Sequence, residues 1–212
     1  MSRAVVLLSG GKDSAVALWW ARQEYVAVTA LSIHHADRPR QEAEAARRLA
    51  EVAGVPLVEV ELPFVRSAGT RGAAQVPVFT TGTAYIPMRN LLYFAVAGYF
   101  AESDAAERVV AGQLKSDGEA YADATPRFFD ALGALFGLVA SGSYANRGAE
   151  LGIDLPLITL SDRNAMELGR RLGVPFELSW SCLHDVEMPC HSCVSCRDRI
   201  RALGTTEDWG GA

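Results

Sequence analysis

The feature that most constrains this chain lies at its start. Ala4-Val5-Val6-Leu7-Leu8 is a short, continuous apolar run that closes on Ser9-Gly10-Gly11, and Lys12-Asp13-Ser14 then leads into a helical pattern reaching about Gln23. A run of this length, apolar at every position and stopped by glycines, reads as a strand buried on both faces. Such a strand needs helices above and below it. Asp13 or Ser14 is expected to cap the helix that follows.

The rest of the chain supplies the other layers. Tyr25 to Ile33 reads as a second strand, Gln41 to Ala53 as a helix stopped by Gly54, and Val55 to Leu62 as a third strand near an edge. Pro63 to Ala84 breaks the rhythm and reads as a long loop of the lid or binding type. Beyond it the pattern gives a helix over Arg89 to Ala101, a fourth strand over Arg108 to Leu114 and a helix from Pro126 to about Ala140. Leu155 to Leu160 is expected as a fifth strand, and Asp162 to Leu172 as a helix ended by Gly173. This alternation predicts an α/β fold: a Rossmann-like parallel sheet with helices on both faces and right-handed crossovers. Ligands in such sheets bind beyond the carboxyl ends of the strands, where Ser9 to Ser14 sit. One domain over residues 1–178 and a small cysteine-rich segment over 179–203 account for the chain.

Bulk properties narrow the partners. Of the 212 residues half are apolar and about a fifth are charged, as in soluble globular proteins, and the net charge of −5 argues against a broad nucleic-acid surface. The first apolar run is too short for a signal sequence, and no run of eighteen apolar residues exists to span a membrane. The expected address is the cytoplasm.

The stretch Ser9-Gly10-Gly11-Lys12-Asp13-Ser14 is not the common phosphate loop, in which a hydroxyl residue directly follows the lysine. Paired glycines let backbone N–H groups approach an anion, and the helix behind them adds its own unpaired N–H groups. Ser9 and Ser14 add hydroxyls, and Lys12 a positive charge. Asp13 would repel phosphate, so its place is at the helix cap or on Mg2+ beside the phosphate oxygens.

All four cysteines, Cys182, Cys190, Cys193 and Cys196, fall within fifteen positions. Four thiolates on tight turns suit a closed tetrahedral zinc site. The same spacing also suits an iron–sulfur cluster, and His184 and His191 are alternative ligands.

SGGKDS resembles the pyrophosphate loop (PP-loop) of the ATP pyrophosphatase superfamily. Within it the chain is most similar to the 7-cyano-7-deazaguanine synthase (QueC) family over nearly its whole length. The shared marks are the loop itself, Pro87-Met88-Arg89-Asn90, Gly112 followed by Asp117, Tyr121 and Asp123, and Trp180-Ser181-Cys182 leading to Cys190, Cys193 and Cys196. The resemblance implies a fold of the adenine nucleotide α-hydrolase (HUP) type. It implies ATP bound by Leu8 to Leu18 (Leu8, Ser9, Gly10, Gly11, Lys12, Asp13, Ser14, Ala15, Val16, Ala17 and Leu18), with Mg2+, and Zn2+ on the four cysteines. Ser9, Lys12, Asp13, Ser14 and Arg89 are the implied catalytic residues. Arg89, Asn90, Gln113, Lys115, Asp117, Tyr121 and Asp123 are the implied substrate contacts, Asp123 reading a guanine-like edge.

The implied reaction adenylates the carboxylate of a 7-carboxy-7-deazaguanine, forms an amide with ammonia, and dehydrates it to the nitrile. AMP- or ADP-type products leave with pyrophosphate or phosphate. The family also suggests a homodimer. The chain departs from the family's pattern at His35-Ala36-Asp37-Arg38-Pro39, at Ala124-Thr125 and at Ser161-Asp162-Arg163, where a lysine is usual. A related ligase that stops at an amide with another amine fits these departures. A tRNA thiolase, which needs cysteines at the active centre, and a non-catalytic nucleotide-binding module are the readings from other classes.

Overall fold

A computed structural model describes residues 2–67, 85–140, 144 and 150–204. Its centre is a five-stranded sheet, all parallel, in the order β3-β2-β1-β4-β5. The strands are β1 (Arg3–Leu7), β2 (Ala27–His35), β3 (Leu57–Leu62), β4 (Arg108–Val110) and β5 (Gly152–Asp154). The helices are α1 (Lys12–Glu24), α2 (Arg40–Ala53), α3 (Arg89–Ser103), α4 (Lys115–Ala120), α5 (Pro126–Val139), α6 (Asp162–Leu172) and α7 (Val194–Leu203).

Alternation along β1 sorts the core into two layers. Ala4 and Val6 point to one face, where they pack with Ala15 to Leu18 of α1, Leu49 of α2 and Met166 of α6. Val5 points to the other face, against Phe94 of α3 and Phe129, Leu132 and Phe136 of α5. Every β1 residue from Ala4 to Val6 is buried, as a strand covered on both faces requires. The third strand lies at the sheet edge, and its alternating exposure fits that place.

Three expectations are corrected. The fourth strand ends at Val110, because the chain must leave the sheet there to pass the loop after β1. Gly112 runs so close to that loop that a Cβ would lie 2.5 Å from the Asp13 carbonyl oxygen. The fifth strand is Gly152–Asp154, not Leu155 to Leu160. That apolar run instead folds into successive turns, with Ile158 N donating to Leu155 O and Leu160 N to Leu157 O. Its side chains are apolar because Leu157 packs in one core layer while Leu155 and Ile158 pack on the other. Finally, Gly11, extended and without a side-chain cap, precedes α1, so Asp13 sits in the first turn rather than at the cap.

The expected long loop lies mostly outside the described residues. Its described beginning folds back toward β2: Ala36 N donates to Val65 O, and Ser67 N to Asp37 Oδ2. Among the described residues no helix is long and apolar enough to cross a membrane.

Candidate active site

The carboxyl ends of β1, β2 and β4 open into a cleft of about 610 Å3. Its floor is the turn after β1. Gly10 adopts φ +96°, and a Cβ there would stand 2.2 Å from the Glu42 carbonyl oxygen, so only glycine lets α2 approach so closely. The hydroxyls of Ser9 and Ser14 lie 3.1 Å apart, and Ser14 Oγ donates to Gly11 O at 2.9 Å. Arg38, three residues past the end of β2, donates to Ser9 O, Ser32 Oγ and Ile33 O. These bonds brace the loop, and Arg38 also lines the cleft.

A charged group sits at the loop's end. Lys12 Nζ donates to both oxygens of Asp13, at 2.9 and 2.8 Å, and lies 3.6 Å from Asp162 on α6. Burial works to lower the Lys12 pKa, but Asp13, Asp162 and Asp117 outweigh it and the ammonium is held. Burial raises the Asp13 and Asp117 pKa values, against the pull of Lys12. Asp117 also accepts from Leu114 N at 2.8 Å, which fixes the start of α4. Asp162 adds negative charge in this corner, and Ser116 Oγ donates to it at 3.0 Å.

The opposite wall comes from β2, α2 and α3. It carries His35, Glu42, Arg89, Asn90 and Tyr93. Arg89 opens α3 just after Met88, which takes φ +56°, a backbone setting that non-glycine residues seldom adopt. Asp123 holds this start in place: its Oδ2 accepts from Asn90 N at 3.1 Å, and its carbonyl from Asn90 Nδ2 at 2.7 Å. Tyr121 stacks on Tyr85 with ring centroids 6.2 Å apart, flanking Arg89 in a small side pocket. The Gln113 side-chain oxygen is buried without a hydrogen-bond partner and lines the cleft.

The cleft thus gathers Leu8, Ser9, Gly11, Lys12, Asp13 and Ser14 with Arg89, Asn90, Gln113, Asp117 and Tyr121. Three expectations do not fit this geometry. Ala15, Val16, Ala17 and Leu18 have no exposed surface and pack in the core, because the helix turns them away from the cleft. Lys115 points outward and pairs with Glu119 one turn along α4. Asp123 lines the side pocket rather than the main cleft, with its Oδ2 accepting from the α3 backbone. Sequence reasoning missed Tyr93, which hides among the apolar residues of α3, and its signal was its one-turn spacing from Arg89.

The C-terminal segment closes the floor. Trp180 N donates to Gly10 O at 2.8 Å, and Trp180, Cys182 and Cys196 pack with Ala45 of α2. The four cysteine sulfurs lie within 4.8 Å of one another, and those of Cys190 and Cys196 are 3.9 Å apart. A tetrahedron with bonds of about 2.3 Å has edges of about 3.8 Å, so the set fits a four-thiolate metal site. The N–H groups of Cys193 and Cys196 point at the sulfurs of Cys190 and Cys193. Hydrogen bonds from Ser192 pull the Cys190 thiol down to about 5, whereas burial beside Cys193 and Cys182 pushes Cys196 up. Arg199, fully buried, donates to Ser179 Oγ and Phe176 O; burial lowers its pKa to about 10 against the charges of Asp13 and Cys196.

The fold and the loop define a class first: nucleotide-binding α/β enzymes of the PP-loop type. Solved structures share the fold, among them NMN synthetase from Francisella tularensis (TM-score 0.50, 19% identity, 84% of this chain and 63% of that one). A 4-thiouridine synthetase solved with RNA and bound ATP is another (TM-score 0.50, 18% identity, 92% of this chain and 45% of that one). At the level of sequence the match is closer. A family model described as "Queuosine biosynthesis protein QueC" matches residues 3–207. The 7-cyano-7-deazaguanine synthase of Nostoc punctiforme is 33% identical across 95% of this chain and 94% of its own, and that of Thermosynechococcus vestitus is 34% identical across 95% and 91%. The chain belongs to the QueC family and is an enzyme.

Proposed function

We propose that the protein converts a 7-carboxy-7-deazaguanine to its nitrile, activating oxygen as an AMP ester twice. The observation that carries the reading is the shared cleft: the SGGKDS loop and Arg89, a cation suited to a carboxylate, line one cavity. In the first activation a carboxylate oxygen attacks the α-phosphorus and pyrophosphate leaves. Ammonia then attacks the acyl carbon, loses a proton, and AMP departs with that oxygen. In the second, the amide oxygen attacks the α-phosphorus of a second ATP and pyrophosphate leaves; AMP then departs with that oxygen as the nitrogen gives up its remaining protons and the C≡N bond forms.

The chain's own residues have distinct tasks in this reading. Ser9, Ser14 and Lys12 hold the departing pyrophosphate, and the α1 N-terminus adds its dipole. Arg89 orients the carboxylate, while Asn90 and Asp123 keep Arg89 in place. Asp13 would hold Mg2+, which supplies charge neutralisation at the phosphates. The carboxylates of Asp13, Asp117 and Asp162 form no ready metal cage among the described residues, so Mg2+ would be shared with the triphosphate. Zn2+ on the four cysteines would have a structural task, since the thiolates fill its coordination sphere. The same reading includes a cytoplasmic homodimer, and exposed Tyr99, Leu138 and Val139 on the outer side of α3 and α5 support a partner there.

Mass spectrometry after incubation with ATP, ammonium and 7-carboxy-7-deazaguanine tests the reading. The nitrile is expected, together with AMP. An amide as the sole product would favour a ligase with another amine acceptor, and no acid-dependent product would remove the proposal.

A further inference from the structure

The wall facing the loop carries polar atoms that the described protein leaves unsatisfied. Tyr93 Oη and His35 Nδ1 are buried with no hydrogen-bond partner. Glu42 extends from the first turn of α2 into the same cavity, and its carboxylate forms neither a hydrogen bond nor an ion pair among the described residues. The other acids there are all engaged. Asp13 holds Lys12, Asp117 holds Leu114 N, Asp162 holds Ser116, Asp37 holds Ser67 N and Asp198 pairs with Arg201, while Asp123, in the side pocket, holds Asn90 N.

A half-buried carboxylate that lines the cleft with both oxygens unpaired is open to the donors a ligand supplies. Two oxygens side by side match a ring N–H next to an exocyclic amino group, the edge that guanine-type bases present and adenine does not. Adenine's edge sets a donor beside a ring nitrogen lone pair, which would oppose one carboxylate oxygen. Burial raises the Glu42 pKa, and Arg38 and Arg89, within charge reach, act against it in favour of the ionised, accepting form. Tyr93 Oη, within reach of Glu42 and Arg89, can donate to the carbonyl adjoining that edge.

We propose that Glu42, rather than Asp123, reads the substrate's guanine-type edge, accepting from its ring N–H and amino group. This inference rests on the reading of the substrate as a deazaguanine acid. Glu42 is then a specificity-determining residue on the wall opposite the phosphate loop.

Calorimetric titration with a non-hydrolysable ATP analogue present tests it, using 7-carboxy-7-deazaguanine and the same acid without its 2-amino group. Wild type is expected to bind the amino-bearing acid roughly ten- to a hundredfold more tightly. Glu42→Gln should lose that preference while its affinity for the ATP analogue stays unchanged. Glu42→Asp should keep part of the preference, which separates recognition from folding. Wild-type discrimination in Glu42→Gln, or its loss in Asp123→Asn instead, would overturn the inference. Failure of wild type to bind either acid would remove the substrate reading as well, a distinguishable outcome.

Discussion

Glu42 shows what the cleft costs the molecule that carries it. Burial raises its pKa above the ordinary value of 4.5, against the pull of Arg38 and Arg89. The folded protein therefore binds this proton more tightly than the unfolded chain does. Such a group contributes stability in full below about 4.5 and loses it as pH rises through the folded value. Glu42→Gln, which has no charge to desolvate, should melt at the wild-type temperature near pH 4 and about 1 to 3 °C higher at pH 8 in the ligand-free protein. Differential scanning calorimetry checks this, and a difference independent of pH would contradict it. Single residues were legible where their chemistry was unusual in sequence. Asp13 stood out because a carboxylate interrupts a phosphate loop. Tyr93 did not, since a phenol one turn from Arg89 looks like part of an apolar helix until the fold shows its hydroxyl at the cleft. Ala15 to Leu18 were over-read in the opposite sense: adjacency to the loop in sequence is not adjacency to the ligand when a helix turns them into the core.

The start of α3 is where an element does chemical work. Met88 holds a left-handed backbone, a setting that costs on the order of 1 kcal/mol or more, and Asp123 and Asn90 compensate with two hydrogen bonds. Asp123→Ala should loosen this turn: amide exchange at Asn90 and Leu91 should speed up, and KM for the acid should rise about tenfold, with KM for ATP nearly unchanged. Equal losses for both substrates would show that the turn does not position Arg89 alone. The elements themselves were legible in proportion to their periodicity. The first three strands and the helices α2, α3, α5 and α6 follow from apolar spacing and glycine stops. The fifth strand was misplaced because Leu155 to Leu160 is apolar for another reason, packing on both core layers from turns at the sheet's edge. α4 was missed since its six residues include Gly118 and bury none of their side chains.

Across the whole molecule the four-cysteine segment is tied to the catalytic floor. Trp180 joins Gly10 through a backbone hydrogen bond, and Arg199 lies within charge reach of both Asp13 and Cys196. Loss of the metal should thus reach the loop. Cys193→Ser is expected to lose most of its bound metal by elemental analysis, melt several degrees lower, and turn over ATP more slowly. Unchanged metal content would contradict the four-thiolate site. The overall α/β plan was readable from the alternation of strands and helices. The union of loop and cysteine tail was not, because nothing in local pattern brings residues 10 and 180 together.

Oxygen tracing tests the central claim most directly. With both carboxylate oxygens of 7-carboxy-7-deazaguanine labelled with oxygen-18, activation at the α-phosphorus predicts AMP carrying one label, and two such AMP molecules for each nitrile formed. Unlabelled AMP, or label appearing in inorganic phosphate, would contradict it.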